Sequence, residues 1–365
     1  MDGYGNIFAP LLPLLIPKMN LSLAMAGTLT MLYQIAASVA QIGFGHLADH
    51  WRPRVLIMVG PPLSVAVLSL IGVAPSVLLL ALVLVVGGLG GAAFHPPAAA
   101  LAHRLGGERP GLAMSVHITC GTLGFALGPL LFAPGAQYFG LQSTPLLALP
   151  GLAAVALVLP RVPSFSFHQP GPRRGFGALR PYARPLSLLY SIVVLRTLTS
   201  LAFATYVPVM LTERGASLTE AGAIVAAYLF AGGVGGLLGG PAADRFGPRI
   251  VIAVSMFASA PLLMLAPLLS GWHFVVVLAL AGFFLTSTLP VNVIYGQMIA
   301  PISAATVSSL MMGFGWGTGG LAVPLVGALA DRFGIAPTLT GLGVVPLFAA
   351  ALAIPLPSRT DLTAP

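Results

Sequence analysis

Apolar residues run along this chain in blocks of about twenty, longer than strands and without the polar face of a soluble helix. The breaks between blocks fall at charges, prolines and glycine clusters. Cut there, the pattern predicts spans at 2–17, 22–45, 54–73, 76–100, 111–133 and 144–160. A second set follows at 186–211, 218–242, 250–269, 273–299, 303–328 and 335–356. Most approach the roughly 20 residues that a helix needs to cross a bilayer. Between the sets lies "RVPSFSFHQPGPRRGFGALRPYARP", residues 161–185, which carries Arg161, Arg173, Arg174, Arg180 and Arg184 and no acid. Its prolines and glycines forbid a long helix, so it reads as a basic linker between a half at 1–160 and a half at 186–365.

Composition turns this pattern into a class. Of 365 residues 57% are hydrophobic and 7% charged, against roughly 25% charged in soluble domains. A water-facing surface cannot be built from that. Lipid-spanning helices tolerate Gly and Pro, which accommodates 44 Gly and 33 Pro. The lone Cys120 excludes an internal disulfide. The net charge of +8 follows from loop arginines on one side, and nucleic acid is not an expected partner. With the linker cytoplasmic, Arg52, Arg54, Arg104, Arg109, the five linker arginines, Arg245, Arg249 and Arg359 share that side. Only Lys18, Arg214 and Arg332 lie opposite. This asymmetry predicts a cell-membrane protein (inner or plasma membrane) with both termini cytoplasmic. No basic region and small-residue cleavage site precede the first apolar run.

The chain repeats itself. "GHLADHWRPR" at 45–54 returns as "GPAADRFGPR" at 240–249, so that Gly45, Asp49, Pro53 and Arg54 match Gly240, Asp244, Pro248 and Arg249. Tyr33 matches Tyr228 at the same offset. At an offset one shorter, Gly121 matches Gly315, and Phe139-Gly140 matches Phe333-Gly334. Two six-span halves of one orientation are thereby predicted. The charged turns, with Asp49, Arg52 and Arg54 in one and Asp244, Arg245 and Arg249 in the other, read either as solvated turns or as gates that pair charges until the halves rock. Set against the seventh span, the first lacks about ten residues, and 2–17 rises only about 24 Å against a ~30 Å hydrocarbon core. The first helix is therefore expected to be truncated.

Ionisable groups inside apolar spans are costly and point to function. Asp2 is the one acid so placed; it reads as a proton carrier or as a solvated residue at a ragged start. Arg196 lies about ten positions into the seventh span, some 15 Å deep, and needs an acid, water, carbonyls or an anionic substrate. The repeat relates it to the region of Asp2. His95, before Pro96-Pro97, sits where proline loosens the helix, and His117 follows in the fifth span. Tyr33, Gln34, Asn292, Tyr295 and Gln297 are further polar candidates, or hydrogen bonds between helices. No metal-ligand cluster, phosphate loop or nucleophile constellation can be assembled, so neither an enzyme nor a cofactor is expected.

The two charged turns resemble the G-x-x-x-D-R-x-G-R/K loop of the major facilitator superfamily, the first with His50 and Arg52 at positions usually Arg and Gly. "GTLGFALGP" at 121–129, with Gly124, Gly128 and Pro129, resembles the fifth-helix signature of antiporters in that superfamily. "GGAAFHPPAAALAHRLGGERPGLAMSVHITCGTLGFALGPLL" and "DGYGNIFAPLLPLL" are similar to its fosmidomycin-resistance branch. The resemblance implies an all-α fold of twelve transmembrane helices in two pseudo-symmetric halves. It also implies a proton-coupled efflux antiporter; the positive groups Arg196, His95 and His117 point to a small anionic or amphiphilic substrate, and a monomer is expected. The alternatives are an uptake symporter for a small organic anion and a non-transporting membrane sensor. The expected partners are a small-molecule substrate, protons and lipid.

Overall fold

The computed structural model describes residues 1–50, 52–163, 176–301 and 304–358, and every regular element among them is helical. Arg173, Arg174 and Arg359 lie outside the described residues, as do the side chains of Asp49 and His50. The first expected span is two pieces, α1 (Asp2–Gly5) and α2 (Phe8–Met19), parted at Asn6 and Ile7. There follow α3 (Leu23–His50), α4 (Pro53–Leu68), α5 (Val77–Leu105), α6 (Pro110–Phe139) and α7 (Ala148–Val158). Next come α8 (Ala183–Glu213), α9 (Leu218–Phe246), α10 (Pro248–Leu265) and α11 (Gly271–Ile299). The eleventh span is α12 (Ala304–Ser309), a π-helical turn at Leu310–Phe314, α13 (Gly315–Gly320) and α14 (Val323–Phe333). The last is α15 (Ile335–Leu342) with α16 (Val345–Ala353). Among the described residues, eleven segments are long and apolar enough to cross a membrane, and α1 with α2 stands where the first was expected.

Starts and stops follow local chemistry. Proline opens α4, α6 and α10, where a missing amide hydrogen costs nothing. Ser76 caps α5 by accepting from Leu79 N at 3.3 Å. Gly140 and Gly334, paired by the sequence repeat, both adopt left-handed φ, 77° and 86°, at the ends of α6 and α14. The two charged turns differ. Gly247 takes φ 89°, whereas Arg52 at the matching position takes φ −90° with extended backbone. A side chain where the motif usually has glycine redirects the first turn.

Contacts gather the chain into two units. One comprises Met1–Pro170 with Thr205–Ala226, the other Gly171–Ala204 with Ala227–Pro365. In the first, glycines bring helices to backbone contact: a Cβ at Gly60 would lie 2.6 Å from Gly90 O, and one at Gly88 3.1 Å from Tyr33 O. Contacts made by Tyr206, Thr219 and Gly222 tie the segment 205–226 to this unit. Tyr206 OH donates to Leu23 O at 3.1 Å, Thr219 N donates to Gln137 Oε1 at 2.7 Å, and a Cβ at Gly222 would meet Pro129 O at 2.8 Å. In the second unit, Gly235 and Gly239 of α9 touch the backbone of Phe283 and Ser287 of α11. Ser287 Oγ donates to Ser255 Oγ at 2.8 Å, tying α11 to α10.

Candidate functional site

In the first unit the break after α1 brings Asp2 to α5, where Asp2 Oδ1 lies 3.6 Å from His95 Nε2. The pair is half-buried, with the two side chains 23% and 39% exposed. Around it stand Tyr33 of α3 and His117 of α6, both within electrostatic reach of Asp2. The ring of Phe94 meets His95 edge-on at 5.8 Å and His117 at 6.4 Å. Gly5 sits against the Tyr33 hydroxyl. Gln34, one residue on, is buried. Four titratable groups from four helices thus share one polar island in apolar surroundings, an arrangement in which a proton can pass between a carboxylate and an imidazole. Gly124 and Gly128 lie on the face of α6 that receives α1, whereas the backbone of Pro129 meets Gly222 of α9.

In the second unit Arg196, in the middle reach of the 31-residue α8, is 2% exposed. Its Nη2 donates to Thr197 Oγ1 at 2.9 Å, its Cζ lies 5.7 Å from the ring centre of Trp316, and its Nε has no partner. Among the described residues of this unit no carboxylate lies within ion-pair distance. A permanently charged fork with a vacant donor, faced by an aromatic ring, is chemically suited to an oxyanion. Asn292 is 1% exposed, and neither end of its amide has a partner. Tyr295 and Gln297 are engaged by neighbours: the Tyr295 hydroxyl donates to Pro357 O, and Gln297 Nε2 donates to Ser308 Oγ at 2.7 Å.

Asp244 lines a cavity of about 60 Å³ with Gly240, Ala243, Pro248, Val291, Ile294 and Met298. Arg245 lies 5.1 Å over the ring of Phe246, and Arg249 is half-buried. In the first turn Arg52 is exposed and the Nε of Arg54 is buried without a partner.

Two residues, Trp316 and Asn6, carried no functional signal of their own in the sequence. Trp316 follows Gly315, itself flagged by the repeat, but nothing in the pattern aims its ring at Arg196. The π-helical turn before it shifts the register of the eleventh span, and Tyr190 holds that turn through Phe314 O at 3.4 Å and Thr318 Oγ1 at 2.6 Å. Asn6 meets a carbonyl 119 residues away, and Gly121, though marked by the repeat and by the 121–129 motif, gave no sign in the sequence of its approach to Asp2. The one signal available was Pro129, whose missing amide hydrogen leaves a carbonyl in want of a donor.

A multi-pass helical bundle with charged groups held inside its apolar units defines a membrane transporter of small molecules. The chain belongs to the Major Facilitator Superfamily, whose family model matches residues 3–199 and 188–364. It is 28% identical to the fosmidomycin resistance protein of Escherichia coli (strain K12), covering 92% of this chain and 84% of that one. It is 29% identical to an uncharacterized transporter of the same type from Bacillus subtilis (strain 168), covering 99% and 91%. The fold matches the nucleoside transporter NupG with a TM-score of 0.80 at 14% identity, over 97% of this chain and 96% of that one.

Proposed function

We propose that this transporter is a proton-coupled efflux antiporter for a small anionic or amphiphilic compound, working by alternating access in the cell membrane with both termini cytoplasmic. The observation that carries the reading is the Asp2–His95 pair, 3.6 Å apart within the first unit. A carboxylate and an imidazole kept inside a span are expensive unless they carry something, and a proton is what both can carry. Tyr33 and His117 complete the proton site. Arg196 supplies the fixed cation for an anionic substrate, with Trp316 against its guanidinium and the idle amide of Asn292 in the same unit. The turns at 45–54 and 240–249 act as gates, with Asp244 pairing and releasing charges as the halves move. Export is supported by the relative named for fosmidomycin resistance. The test is a susceptibility panel, fosmidomycin among the compounds, in a host with and without the gene. Expression should lower susceptibility to at least one anionic compound, more at acidic than at alkaline external pH. Unchanged susceptibility throughout, or protection indifferent to pH, contradicts the reading.

A further inference from the structure

Pro129 has no amide hydrogen, so the carbonyl of Phe125, four residues earlier in α6, loses its helical donor. The side chain of Asn6 takes that place: Nδ2 donates to Phe125 O at 3.1 Å, and Asn6 is 5% exposed. Asn6 is also where the chain leaves α1. The rest of the α1–α6 seam is built on glycine. A Cβ at Gly121 would lie 2.7 Å from Asp2 Oδ2, one at Gly128 would lie 2.5 Å from Gly3 O, and one at Gly3 would lie 2.9 Å from Gly124 O. At Gly124 an added methyl would find Asp2 Cβ at 3.6 Å, an ordinary contact.

We infer that residues 121–129 form a socket for the Asp2 turn, and that Asn6 and Gly121 are positioning residues for the Asp2–His95 pair. The inference rests on the reading of that pair as the coupling site. The two devices are separate. The Asn6 amide fixes where α1 stops along α6, using the carbonyl that Pro129 frees. Gly121 fixes how closely the Asp2 carboxylate approaches, because any side chain there displaces Oδ2. The groups that face Asp2 are Tyr33 from α3, His95 from α5 and His117 from α6. A displacement of the carboxylate therefore alters the environment of His95 directly.

The experiment uses the full chain in lipid nanodiscs with ¹⁵N-labelled histidine, the His95 signal being assigned by its loss in His95→Asn. The pH midpoint of that signal is compared across variants. Gly121→Ala should move it in the same direction as Asp2→Asn, by less, and Gly124→Ala should leave it in place. A midpoint moved by Asp2→Asn but not by Gly121→Ala overturns the socket and leaves the coupling reading intact. A midpoint unmoved by Asp2→Asn overturns the pair, and both readings with it. Thermal unfolding gives a second, independent arm. Asn6→Ala should lower the midpoint, and adding Pro129→Ala, which restores an amide hydrogen for Phe125 O, should recover part of the loss. Strict additivity of the two substitutions overturns the role given to Asn6.

Discussion

Arg196 is the residue whose position was most legible, because a charge about 15 Å into an apolar span stands out in any reading. Holding it there costs roughly 2.5–3.5 kcal/mol by insertion scales, and the structure offsets this with Thr197 and the face of Trp316 rather than with an acid of its unit. Asp2 and His95 were legible for the same reason, as isolated polar groups. Their pairing was not, since sequence distance says nothing of which helices touch; nor was Asn6, an unremarkable amide until it is seen to donate to the Phe125 carbonyl. If Arg196 binds an anion, Arg196→Gln should insert and fold as the wild type does. The anionic compound that the susceptibility panel identifies should then no longer raise its thermal midpoint, while Arg196→Lys should keep part of the effect, being a point charge without the planar fork. A full midpoint rise in Arg196→Gln would make the charge incidental.

Among the elements, span number and order were legible from the length of the apolar blocks, and most helices run a few residues beyond the predicted ends, since a charged residue or glycine that closes an apolar block need not end a helix. Departures came where a backbone event interrupts an apolar block without changing its composition. Such are the break at Asn6 and Ile7 and the π-helical turn at Leu310–Phe314. The charged turns give a test at this scale. Gly247 holds φ 89° and Arg52 holds φ −90° at matching positions. Gly247→Ala should destabilise by about 1 kcal/mol, since alanine is strained at positive φ. Arg52→Gly should gain no stability, since its backbone already suits any residue. Equal thermal midpoints for wild type and Gly247→Ala would remove the conformational explanation of the glycine.

At the scale of the whole molecule, the repeat of 194 to 195 residues carried the fold: paired motifs predicted paired halves, and the matched glycines Gly140 and Gly334 share a left-handed φ. The grouping of contacts was not legible. Residues 205–226 belong by sequence to the second half yet cluster with the first unit, through Tyr206, Thr219 and Gly222. A repeat records ancestry of elements, whereas contacts depend on which surfaces meet. The central claim is proton coupling through Asp2 and His95, and its most direct test is transport in inverted membrane vesicles, the probe being the anionic compound that the susceptibility panel identifies. An imposed pH gradient, acid inside, should drive accumulation by the wild type. Asp2→Asn should abolish that accumulation while keeping exchange of labelled for unlabelled compound across the membrane. Accumulation that persists in the wild type after the gradient is collapsed, or in Asp2→Asn with the gradient present, would contradict the account.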